Sequence, residues 1–104
     1  MARVWRSADR AWQPLHPGVE SMDLQRHADG GGAALFRMRA GATIPLHDHV
    51  LGEHTYVIEG ELEFGTTRLG AGDALWTEPG ETHVVRAITD AMFLGVAPPR
   101  ARTR

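Results

Sequence analysis

With 104 residues, 42 % of them hydrophobic, the chain is long enough for one core and too short for a second catalytic lobe, which excludes two-domain nucleotide enzymes. A formal net charge of −2 lacks the basic footprint of a nucleic-acid binder, and the absence of cysteine removes disulfides, thiolate nucleophiles and Cys-based zinc sites, so any metal must be held by His, Asp or Glu. The opening MARVWRSADRAW has no apolar signal core and no later apolar run reaches bilayer length, so the expectation is a soluble, cytoplasmic protein with no membrane partner.

Residues 1–20, carrying Trp5, Trp12, Pro14 and Pro17, read as an irregular N-terminal arm lying over apolar surface. From there to Pro98-Pro99, glycine and proline recur at intervals of about eight to twelve residues between short β-branched, aromatic and leucine-rich segments, the rhythm of an antiparallel sandwich or barrel. The predicted strands are 22–27, 33–39, 43–49, 53–59, 61–66, 74–78, 83–88 and 91–97, so 21–97 is an all-β barrel domain. Gly60, between two apolar-rich runs, predicts a hairpin over 53–66, and the alternation of Glu61 and Glu63 with Leu62 and Phe64 leaves one face of its second strand wet. Residues 98–104 form a basic tail with Arg100, Arg102 and Arg104, expected to be a solvated end.

The stretch PLHDHVLGEH, Pro45 to His54, concentrates the ligand chemistry. In an extended strand His47 and His49 share a face, about 7 Å apart, while Asp48 points away. After Val50-Leu51-Gly52 the chain turns, and Glu53 opens a strand expected to return antiparallel beside the first, bringing its carboxylate back to the imidazoles. His83 follows thirty residues later in EPGETHVV, delivered by the Pro79-Gly80 turn into a strand with Val85 and Ala87 on its face. Three His and one carboxylate suit a single divalent metal and leave two octahedral positions open, the mark of a reactive site.

These residues resemble the cupin superfamily. Gly41, His47, His49, Glu53 and Gly60 match every fixed position and spacing of the first cupin motif, G(X)5HXH(X)3,4E(X)6G. The second, G(X)5PXG(X)2H(X)3N, is met by Gly72, Gly80 and His83, with Glu78 where proline is expected and Ala87 in place of the asparagine. Together the motifs cover about half the chain. Trp12, Pro14 and Gly18-Val19 ahead of the barrel, and the EPxxTH pattern before His83, are similar to ChrR-like and small dioxygenase-type cupins. The resemblance implies a single-domain jelly-roll (double-stranded β-helix) barrel, one metal ion per chain held by His47, His49, Glu53 and His83, and a homodimer. It further implies a dioxygenase or isomerase acting on a small organic substrate such as a keto-enolate or catechol, with Glu53 as the proton acceptor. The metal, iron, manganese, nickel, copper or zinc, is not selected by the ligand set, because affinity follows the Irving–Williams order.

Two rival readings stay open: a sensory cupin that binds metal or ligand without catalysis, against which the sequence carries no recognisable output domain, and a metal-free sugar-modifying cupin whose four polar groups only bond to one another. Strand parity and character place Phe36, Met38, Ile44, Tyr56, Trp76, Val85, Phe93 and Gly95 toward the interior as pocket candidates, with Tyr56 or Arg37 as polar anchors. His54 and Asp48 are expected to point outward, His16 and His27 to be solvent-exposed, and Glu78 to be an edge charge.

Overall fold

The structure, a computed structural model, describes residues 2–28, 30–48 and 52–98, with backbone only at 46–48. After a 3-10 turn at Ser7–Asp9 the described residues form ten strands: β1 Gln13–His16, β2 Val19–Arg26, β3 Gly32–Met38, β4 Thr43–Asp48, β5 Glu53–Glu59, β6 Glu61–Phe64, β7 Thr67–Gly70, β8 Ala74–Thr77, β9 Thr82–Ala87 and β10 Ala91–Ala97. They make two antiparallel sheets, a six-stranded one in the order β1-β2-β3-β10-β5-β8 and a four-stranded one in the order β4-β9-β6-β7. The all-β jelly-roll expected from the sequence is the fold observed.

Alternation builds the interior. Along β9, His83, Val85 and Ala87 are buried while Thr82, Val84 and Arg86 are exposed. On β6 the buried pair is Leu62 and Phe64, and on β5 it is Thr55 and Val57. Phe93 of β10 joins the sheets: its ring stacks on Phe36 at 4.9 Å and meets the edge of Phe64 from the facing sheet at 5.5 Å. Outside, the exposed cross-strand ion pairs Glu63–Arg86 and Glu20–Arg37, both at 2.6 Å, contribute about 0–1 kcal/mol each and serve register more than stability.

Three strand readings are corrected. Residues 53–66 are not a hairpin: β5 lies between β10 and β8 in the larger sheet, whereas β6 lies between β9 and β7 in the smaller. Gly60 is the crossover. Its φ is +83°, and a Cβ there would stand 2.2 Å from the Asp90 carbonyl oxygen and 2.7 Å from Ala91 Cα, so only glycine lets the chain pass so close to the β9–β10 turn. The hairpin partner of β6 is instead β7, through Gly65-Thr66, with Phe64 opposite Thr67. By the same logic β5 does not return beside β4; β4 pairs with β9, and Glu53 reaches the interior from the opposite sheet. Within the arm, Gln13–His16 forms an edge strand on β2, and Val19, 1 % exposed, is core. Its mostly exposed side chains hide β1 from any hydrophobic pattern.

Candidate metal centre

The β4–β9 ladder sets His47 directly opposite His83 and Asp48 opposite Thr82. His83 is 8 % exposed, and its imidazole meets the Phe64 ring edge-on at 5.3 Å. The turn that delivers it is closed by the Glu81 N–H donating to the Glu78 carbonyl at 3.0 Å, with Gly80 at φ +83°.

Glu53 enters from the facing sheet, at the start of β5 and opposite Thr77 of β8. Room for its carboxylate comes from β10: a Cβ at Gly95 would lie 3.2 Å from Glu53 Oε2 and equally close to Phe36 Cε2. Glycine at 95 is therefore a cradle, and Phe36 is the apolar wall beside it. Burial among these groups pushes the Glu53 carboxyl up to about 7, because desolvation penalises the ionised form. Glu53 and His83 thus border one aromatic cluster from opposite sheets: Glu53 shares the space over Gly95 with Phe36, His83 meets Phe64, and Phe93 lies between the two phenyl rings, stacked on Phe36 and edge-on to Phe64.

A carboxylate and an imidazole, both turned into one interior and joined in register by a second histidine position, are the donor types that a borderline divalent cation takes. The residues present fit such an ion. Among the described residues no group of three His, Cys, Asp or Glu side chains gathers closely enough to hold one; His49 and the side chain of His47 lie outside the described residues.

A cavity of about 480 Å³ opens at Glu53, lined by Phe36, Ala34 and Gly95, by Asp23 and Gln25 of β2, and by His27 just beyond it. A larger cleft, about 870 Å³, lies at the other end of β5, by Glu59, Asp90 and His16; Glu53 lines the smaller cavity and not this one.

Of the pocket candidates, Phe36 is half-buried at the cavity wall, Phe93 joins the sheets, and Met38, Ile44 and Val85 are buried in the core. Tyr56 and Trp76 require correction. They are 49 % and 39 % exposed, because the inward positions of β5 and β8 are Glu53, Thr55 and Val57, and Leu75 and Thr77. Arg37 also lies outside, paired with Glu20 and set over the Trp12 ring at 4.4 Å. His54 points outward as expected, whereas His16 and His27 are half-buried at the rims of the two clefts rather than exposed. Asp48 has its side chain outside the described residues, as does the tail beyond Pro98.

The sequence reading missed Thr55. It is 1 % exposed, two positions along the inward face from Glu53, and its Oγ1 has no hydrogen-bond partner among the described residues. Period-two counting from Glu53 finds it directly. The cavity rim, Asp23 and Gln25 at the end of β2 and His27 just beyond it, carries no such signal, since the pairing of β2 with β3 brings it there.

A family model, the ChrR cupin-like domain, matches residues 1–97. No curated protein matches the sequence. Among solved structures the chain is similar to one from the crystal structure of Rhodobacter sphaeroides SigE in complex with the anti-sigma ChrR, with TM-score 0.79 and 28 % identity over 89 % of this chain and 52 % of that one. It thus spans about half the length of that relative. It is also similar to the polyketide cyclase RemF from Streptomyces resistomycificus, with TM-score 0.82 and 22 % identity over 96 % and 81 % of the two chains. An acetylacetone dioxygenase from Acinetobacter johnsonii gives TM-score 0.81 and 15 % identity over 93 % and 74 %. The last two likenesses are of fold alone.

Proposed function

The chain belongs to the ChrR cupin-like domain family, and from that premise we propose that it is a mononuclear metal-binding cupin that transforms a small oxygen-bearing organic substrate by dioxygenase- or isomerase-type chemistry. The observation that carries this reading is the half-buried Glu53 carboxylate, set in the Gly95 cradle across one aromatic cluster from the buried His83, with a cavity opening beside it. His47, His49, Glu53 and His83 are the residues that would hold a divalent transition metal, which supplies Lewis acidity and, as iron, dioxygen activation.

The protein's own groups set the rest. In the metal-free protein burial raises the Glu53 carboxyl to about 7; once released from the metal it would take a proton from substrate near neutral pH, where a general base works best. Phe36 and Gly95 line the approach to that carboxylate, and the adjoining cavity of about 480 Å³ is of a size that takes a small organic substrate. The neighbouring dioxygenase fold makes diketones and catechols the first substrates to assay.

The test is dioxygen uptake and product formation by metal-reconstituted protein, compared with Glu53→Gln. The variant is expected to lose about 100-fold in turnover, the lower range for a general base, while metal content falls much less. Equal loss of both makes Glu53 a ligand only. A sensory reading is favoured by one observation, the 28 % identity to a chain from an anti-sigma complex. Absence of turnover with every metal and substrate, alongside intact metal binding, would select it.

A further inference from the structure

Glu78, the departure from the second cupin motif, makes two bonds that proline could not. Its Oε2 accepts the indole N–H of Trp76 at 2.8 Å, and its own backbone N–H donates to Glu81 Oε1 at 3.0 Å. The first bond fixes the indole on the outer face of β8, and the second braces the turn that leads to His83.

The fixed indole covers the other ligand segment. Trp76 stands opposite His54 in the β5–β8 register, with ring centroids 4.6 Å apart. Its six-membered ring also lies on Gly52, the buried residue just before Glu53. A Cβ at Gly52 would come within 2.7 Å of Trp76 Cη2 and 2.9 Å of Cζ2, and Gly52 has φ +77°. No side chain intervenes, so the indole presses on the backbone from which β5 and Glu53 emerge.

We infer that Trp76 and Glu78 form an external clamp, positioning residues that tie the turn before His83 to the backbone before Glu53 and so preset the two ligand segments against each other. The inference rests on the metal-binding reading above. Partners bonded directly to metal ligands change metal affinity by about 10–100-fold when lost, and a clamp acting through the backbone beside them is expected at the lower end of that range.

The experiment uses full-length protein, with Glu78→Ala and Trp76→Leu to open the clamp and Glu78→Gln to retain an acceptor for the indole N–H. Circular dichroism melts identify any variant that does not fold; Glu78 is exposed, so Glu78→Ala keeps the test alive should Trp76→Leu fail. Amide hydrogen exchange in metal-free protein reads the clamp itself, and titration with Co²⁺, followed by its visible absorption, reads the consequence. The expected result is exchange about 10-fold faster at Gly52 and Glu53 in the opened variants, Co²⁺ affinity about 10-fold weaker with an altered spectrum, and recovery in Glu78→Gln. Unchanged exchange overturns the clamp. Faster exchange with wild-type Co²⁺ affinity overturns its positioning role. Failure of the wild type to bind Co²⁺ at all, with exchange still faster in the variants, overturns the metal reading and the positioning role with it, while leaving the mechanical link standing.

Discussion

Phe93→Ala is expected to lower stability by about 3–5 kcal/mol, the range for removing a buried aromatic side chain from a core. Phe93 is 2 % exposed and is the ring through which the sheets meet, stacked on Phe36 and edge-on to Phe64. Its loss removes both ring contacts and leaves a cavity that rigid strands cannot collapse into, because each neighbour is held in a ladder. In a domain whose whole stability is on the order of 5–15 kcal/mol, that is a large fraction. Urea unfolding of wild type and variant measures it, with Leu94→Ala, half-buried on the opposite face of the same strand, as the comparison. A loss of about 1 kcal/mol or less at Phe93 would show that the two sheets are not joined through this ring.

The second large effect depends on pH. In metal-free protein Glu53→Gln is expected to be more stable than wild type at pH 8, by on the order of 2–3 kcal/mol at most, with the difference closing as pH falls to about 4.5. The sign follows from proton counting. The folded carboxyl is raised from 4.5 to about 7, so above pH 7 the native state carries an ionised, desolvated group that the unfolded chain hydrates freely. Between 4.5 and 7 the folded protein keeps a proton that the unfolded chain has released, and stability rises as pH falls through that window. Below 4.5 both states are protonated and the glutamate behaves like glutamine. Residual solvent contact at Glu53 reduces the magnitude but not the direction. Chemical denaturation in chelator at several pH values measures the gap; one that stays constant from pH 8 to 4.5 would mean that burial does not disfavour the ionised carboxylate.

The same residues mark what the sequence made legible. Spacing singled out Glu53 and His83, which the structure turns into one interior from opposite sheets, whereas His49 and the side chain of His47 lie outside the described residues. Period-two parity turned His54 outward, and it would have found Thr55 if carried one step further. Strand partners were another matter. Val57 and Leu62 are both fully buried and flank Gly60, which in a linear pattern looks like a hairpin, and only the strand pairing shows the chain changing sheets there. That Glu53 lies in the sheet opposite β4 is hidden for the same reason: alternation reports which face a residue occupies and says nothing of its neighbour strand. Tyr56 and Trp76 suggest the interior by aromatic character, but their parity along β5 and β8 turns them outward. Glu78 was visible only as a mismatch to a motif, and its bond to the indole needed coordinates.

The most direct measurement of the central claim, that this barrel encloses a mononuclear metal site, is metal content by plasma mass spectrometry on untagged protein purified without chelators, with His83→Ala beside it. The expected result is about one equivalent of a transition metal per chain in the wild type, as a site with one ion's worth of ligands requires, and almost none in the variant. No metal in either protein, even after reconstitution, would contradict the claim and leave the four polar positions as a hydrogen-bonded lining for a sugar or small acid.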